Sequence, residues 1–132
     1  MIQEGMVAKL LADPGVSAIA GLNVYAMLAP DESLLFYPCV SYSFVGGSQE
    51  LTFTNRGYRQ QRVELNAHAM SYAVAAQLRA AIIVALQDWK AVLSDGTDVI
   101  GTNLVNPGID FLGDDRIFRC LVEFYVNYNS PN

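Results

Sequence analysis

The sequence predicts an α+β fold: an antiparallel β-sheet with one long helix packed across it and a short helix at the N-terminus. Three observations lead there. Ser71–Trp89 (SYAVAAQLRAAIIVALQDW) is the only long run with helical periodicity. Three stretches, Tyr37–Val45, Tyr58–Ala69 and Ile117–Tyr128, alternate apolar and polar residues with a period of two. Pro14 interrupts the helical pattern that opens the chain.

The elements follow in order. Ile2–Ala12 reads as a short amphipathic helix, with Ile2, Met6, Leu10 and Leu11 on one face. Gly5 weakens it by up to about 1 kcal/mol. Asp13 precedes a proline and so leaves the helical region. Val16–Ala20 forms one more turn, closed by Gly21. Leu22–Met27 reads as a short strand and Ala29–Ser33 as a loop. Val40, Tyr42 and Phe44 set one face of a strand that Gly46-Gly47 breaks. Glu50–Thr54 forms one arm of a hairpin that turns at Asn55-Arg56-Gly57. Tyr58–Ala69 returns, with Val63, Leu65 and Ala67 opposed to Arg62, Glu64 and Asn66.

Ser71 then offers a hydroxyl cap to the long helix. Val74, Leu78, Ala81, Ile82, Ala85, Leu86 and Trp89 recur at steps of three and four and form its apolar face. Gln77, Arg79, Gln87 and Asp88 make it too polar to span a membrane. Ser94-Asp95-Gly96 is a turn, Val99–Val105 a weak strand, and Asn106-Pro107-Gly108 a strong turn signal. After a further turn at Gly113-Asp114-Asp115, the last strand sets Phe118, Cys120, Val122, Phe124, Val126 and Tyr128 against Arg119, Glu123 and Asn127. The tail from Ser130 frays. No repeat or linker divides the chain, so residues 1–132 are read as one domain.

The totals narrow the function. Of 132 residues 52% are hydrophobic and 16% charged, enough for a substantial core. Mean hydropathy is +0.24, and the apolar excess points to contacts between subunits. A net charge of −5 disfavours a firm grip on nucleic-acid phosphates, while a surface that DNA slides past remains compatible. Cys39 and Cys120 fit no zinc spacing and read as buried free thiols, ahead of a disulfide. The opening residues lack a secretory pattern, so the chain is expected in a reducing cytoplasm.

No catalytic constellation emerges. His68 is the only histidine, and no second residue supports it as a base. Asp95, Asp98, Asp110, Asp114 and Asp115 cluster in predicted loops, but their spacing matches no ion-binding loop. They read as solvated turn residues. No phosphate-binding glycine motif is present. Neither a metal nor a cofactor is expected.

Charge is segregated. Residues 1–50 carry five acids and one base, residues 51–90 five bases and two acids, and residues 91–132 six acids and two bases. Arg56, Arg59 and Arg62 lie in or beside the predicted hairpin. Two readings stand. The basic arm is solvated, or it meets an acidic surface on another copy, a complementarity that favours head-to-tail rings. The contact surfaces expected are therefore Arg56, Arg59 and Arg62 on one side, and Asp95, Asp98, Asp110, Asp114 and Asp115 on the other.

The order of pieces resembles the tail terminator, or tail completion, proteins of long-tailed bacteriophages and phage-like particles. MIQEGMVAKLLADPGVSAIAG is similar to the family's opening helix, Asp-Pro break and second short helix. LNVYAMLAPDESLLFYPCVSYSFVGG resembles its short strand, proline loop and proline-led strand. RQQRVELNAHAMSYAVAAQLRAAI resembles its strand-to-helix joint, with Tyr72-Ala73 at the helix start, and RIFRCLVEFYVNY its last strand. Ser48–Gly57 is a stretch that such proteins vary freely.

The resemblance implies a structural virion protein that is not an enzyme. It implies a ring, usually a hexamer, on the head-proximal end of the tail tube, assembled in the host cytoplasm and placed at the tail–neck junction. Implied partners are copies of itself, the tail tube protein and a neck stopper or adaptor, with DNA only in transit and no membrane. An acidic lumen would repel phosphate and let DNA slide. Competing readings are a neck stopper or adaptor, a tube subunit, and a small-molecule-binding or catalytic α+β oligomer centred on His68.

Overall fold

In a computed structural model, residues 2–21, 23–26, 38–50, 58–112 and 117–129 are described. The predicted loop at 29–33, hairpin arm at 51–54, turns at 55–57 and 113–115, and the tail lie outside them. The elements are α1 (Ile2–Ala12), α2 (Pro14–Ala20), β1 (Val24–Ala26), β2 (Cys39–Glu50), β3 (Tyr58–Ala69), α3 (Tyr72–Leu86), β4 (Ala91–Val92), β5 (Asp98–Leu112) and β6 (Phe118–Asn129). One six-stranded sheet has the order β1-β2-β3-β6-β5-β4. This is the α+β class that the sequence predicts. One pair departs from antiparallel: β1 runs parallel to β2. A parallel neighbour cannot be joined by a tight two-residue turn.

The core forms where α3 lies on the sheet. Ala75, Leu78, Ile82, Ala85 and Leu86 are buried on its inner face, while Val84 on the outer face is 71% exposed. Opposite them stand Val63, Leu65 and Ala67 of β3 and Cys120, Val122, Phe124 and Val126 of β6, all essentially inaccessible. These two central strands pair without a register shift from Tyr58↔Asn129 to Ala69↔Phe118. α1 contributes Ile2, Met6 and Leu10 to the same core, and α2 contributes Val16 and Ala20. Leu11 is only half-buried. Gly5 lets α1 approach closely, since a Cβ there would lie 2.6 Å from Leu93 Cδ1.

Several boundaries differ from the sequence reading. Asp13 does more than end α1. Its Oδ2 accepts from Val16 N at 3.0 Å, and Pro14 takes the first helical position, so α2 starts two residues before the predicted turn. Ser71 is the cap residue of α3 by backbone shape, but its hydroxyl makes no cap bond. α3 stops at Leu86, three residues early. Asp88 adopts φ +58°, and this left-handed step folds Trp89 under the helix end, where it is 5% exposed. Thr102 Oγ1 donates to the Leu86 carbonyl at 2.5 Å and so ties that helix end to β5.

Gly46-Gly47 does not end β2. The strand bulges between Phe44 and Gly47 and continues to pair with β3. Asn106-Pro107-Gly108 is likewise no turn. It lies inside β5, whose pairing with β6 shifts register three times, between Val99 and Gly101, Leu104 and Asn106, and Asn106 and Ile109. Each shift inserts a residue and bends the strand. Replacing Leu78 or Leu86 with Ala should cost about 2–5 kcal/mol in denaturant melts. Val84→Ala, on the exposed face, should leave the midpoint nearly unchanged.

Candidate functional site

The sheet face turned away from the helices is polar, as strand alternation dictates. It collects Ser41 of β2, the even-numbered residues of β3 from Tyr58 to His68, and Glu123, Tyr125 and Asn127 of β6. Ser41 Oγ and His68 Nε2 are 2.8 Å apart. Asn127 Oδ1 accepts from Tyr58 Oη at 2.8 Å and Gln60 Nε2 at 3.0 Å. Arg62 forms an ion pair with Glu123, whose side chain is only 7% exposed. Glu64 stands directly opposite Glu123 across the strand pair, a like-charge juxtaposition that Arg62 offsets. Asn66 is 2% exposed and its Oδ1 has no hydrogen-bond partner.

The predicted contact residues fall into separate places. Arg62 lies on this polar face. Arg59, three positions away, lies on the face that carries the core, opposite Tyr128, with a buried Nε that has no hydrogen-bond partner. Asp95 sits in the β4–β5 turn, where its Oδ1 accepts from Thr97 N at 3.0 Å. Asp98 opens β5 opposite Asn129. Arg59, Asp95 and Asp98 thus share one end of the sheet, with β3 and β5 two strand spacings apart, about 10 Å. Asp110 is at the other end, opposite Cys120. Arg56, Asp114 and Asp115 lie outside the described residues.

Asp110 is engaged within the subunit. Tyr72 Oη donates to its Oδ2 at 2.8 Å, and Arg79 Nη1 donates to its Oδ1 at 2.5 Å. The Tyr72 hydrogen bond, helped by Cys120 and Arg79, holds the Asp110 carboxyl below the usual aspartate value. The same contact raises Tyr72. Gly108 makes room for the pair, since a Cβ there would lie 2.4 Å from Arg79 Nη1. Its φ of +148° also disfavours a side chain. Arg79 and Tyr72 were not among the expected contact residues. They lie seven residues apart, two helical turns, and so share a stripe of α3, a signal available in the sequence.

The thiols are not set up for chemistry. Burial raises Cys39 to about 12, and burial together with Asp110 raises Cys120 to about 11. Among the described residues, no group of three histidine, cysteine or acidic side chains could hold a metal ion. No described helix is long and apolar enough to cross a membrane.

These features define a class first: a small α+β domain whose polar groups are spent largely on bonds with one another. The same fold occurs in a chain of the structure titled "Virion of native gene transfer agent (GTA) particle", with a TM-score of 0.78 and 18% identity over 95% of this chain and 92% of that chain. No curated protein matches the sequence. The model of the family described as "Tail completion protein gp17" matches residues 4–128, and the chain belongs to that family. It is a structural protein of a phage tail.

Three outcomes follow. Asp110→Asn should lower thermal stability at neutral pH. The depressed carboxyl stabilises the fold above about pH 3.8 and loses that effect as pH falls through its lower folded value, so the two melting curves should converge in acid. Gly108→Ala should cost about 1–3 kcal/mol through backbone strain and the crowded guanidinium. Arg62→Met should lower the melting temperature more than Arg62→Met with Glu123→Gln, because the single change strands a buried carboxylate.

Proposed function

We propose that this protein closes the head-proximal end of the tail tube as a ring, usually of six copies, at the tail–neck junction. The ring stops further tube subunits from adding and offers its far side to a neck stopper or adaptor. DNA passes through its hole during packaging and ejection. Assembly takes place in the host cytoplasm. The observation that carries this reading is the family match across residues 4–128, nearly the whole chain.

The physical chemistry supports a binding role without covalent steps. The two thiols are buried and shifted upward, and Asp110 is tied down by Tyr72 and Arg79. His68 contacts Ser41, and this pair alone supplies neither an electrophile-stabilising group nor an orienting acid. A net charge of −5 lets DNA pass without being held, because phosphate contacts on an acidic surface are repulsive. Arg56, Arg59, Arg62, Asp95, Asp98, Asp110, Asp114 and Asp115 are the contact residues on which the ring reading places subunit or partner surfaces, Arg62 and Asp110 being also paired within the subunit.

Particles made without this protein should show, by electron microscopy, tails of irregular length that are not joined to heads. Regular tails on filled heads would overturn the proposal. The purified protein should sediment as one closed species, whereas a tube subunit would give filaments.

A further inference from the structure

Among the described residues, both rims of the sheet are covered over only part of their length. β5 pairs with β6 along its inner side, but on its outer side β4 covers only Asp98 and Val99. From Ile100 onward the outer rim has no strand partner among the described residues. Exposed apolar side chains gather there: Ile100, Leu104 and Val105 are 40%, 45% and 41% exposed, and Val92 of β4 is 75% exposed. The opposite rim repeats the situation. Among the described residues, β1 covers β2 only from Val40 to Tyr42, and Val45 beyond it is 39% exposed. Val40 N donates outward to Asn23 O at 2.9 Å, so the alternate residues Tyr42 and Phe44 also turn their backbone groups outward. Phe44 is the first of these that β1 does not cover. Open rims with unpaired amides and carbonyls are templates for another strand.

Direction and height decide which strand fits. β2, β3, β6 and β5 are successively antiparallel, so β2 and β5 point in opposite senses. Phe44 stands opposite Val63, Val63 opposite Phe124, and Phe124 opposite Leu104. The open part of each rim is therefore level with the other. A copy shifted sideways sets its β2 rim against this β5 rim as an antiparallel pair, with both core faces on the same side. On β5 the run between register shifts is Gly101–Leu104. Beyond it Pro107 has no N–H to donate, and two further register shifts interrupt the strand.

We propose that the outer edge of β5 at Gly101–Leu104 pairs antiparallel with the β2 edge around Phe44 of a second copy, head to tail, so that the sheet continues from subunit to subunit. This rests on the ring reading above and adds the surface by which the ring closes. Val45 and Asn103 come face to face in that pairing. Directly opposed antiparallel residues have Cα atoms about 4.5–5.5 Å apart, within disulfide reach. Within one subunit the two rims are three strand spacings apart, about 14 Å, too far to bridge.

The test uses the whole protein in two ways. The double variant Val45→Cys with Asn103→Cys, oxidised, should run as a ladder of covalent multimers, and either single variant should not. In the unmodified protein, hydrogen exchange at Gly101–Leu104 should slow by about 100-fold or more in the ring relative to dissociated subunits. This second measurement decides the matter if the variants fail to fold. A ring, sized by light scattering, without slower exchange there would overturn the edge pairing and leave the ring reading intact. A chain that stays monomeric at every concentration would overturn both. Slowing that appears only when another tail protein is added would overturn the choice of a second copy as occupant.

Discussion

The burial of one face of α3 against β3 and β6 holds this molecule together. Leu78, Ile82 and Leu86 are fully buried in the same core as Leu65, Val122 and Phe124. Full burial of such side chains contributes roughly 1.5–3 kcal/mol each, so this contact outweighs any single polar interaction described. It also fixes what remains. Once α3 lies across the two central strands, α1 and α2 can pack only on its flank. The other face of the sheet is then left to carry polar residues.

That second face explains the charge pattern better than loops do. Arg62 and Glu123 belong to neighbouring strands and neutralise each other within the subunit. Arg79 and Asp110 do the same between helix and sheet. Much of the segregation of charge along the chain is therefore resolved inside one copy, because a hairpin sheet brings a basic middle against an acidic end. Arg59, Asp95 and Asp98 keep to one end of the sheet.

Periodicity made the framework legible. The steps of three and four in Ser71–Trp89, and the alternation at Tyr58–Ala69 and Ile117–Tyr128, locate α3, β3 and β6 and their inward faces. Glycine and proline misled where a strand bulges. Gly46-Gly47 and Asn106-Pro107-Gly108 have the composition of turns, and only the partner strand reveals that the ladder resumes beyond them. Asp110 looked like one more loop acid because its partner, Arg79, lies 31 positions earlier, and no local pattern records such a pair. The Asp13-Pro14 start of α2 was readable, since an acceptor followed by proline is a helix opening as well as a helix stop.

The buried thiols bear on durability. Burial raises both thiols well above neutral pH and so keeps them protonated. Thiolate is the form that attacks peroxide and disulfides such as oxidised glutathione. Cys39 and Cys120, both buried and both shifted upward, are therefore poorly placed to oxidise.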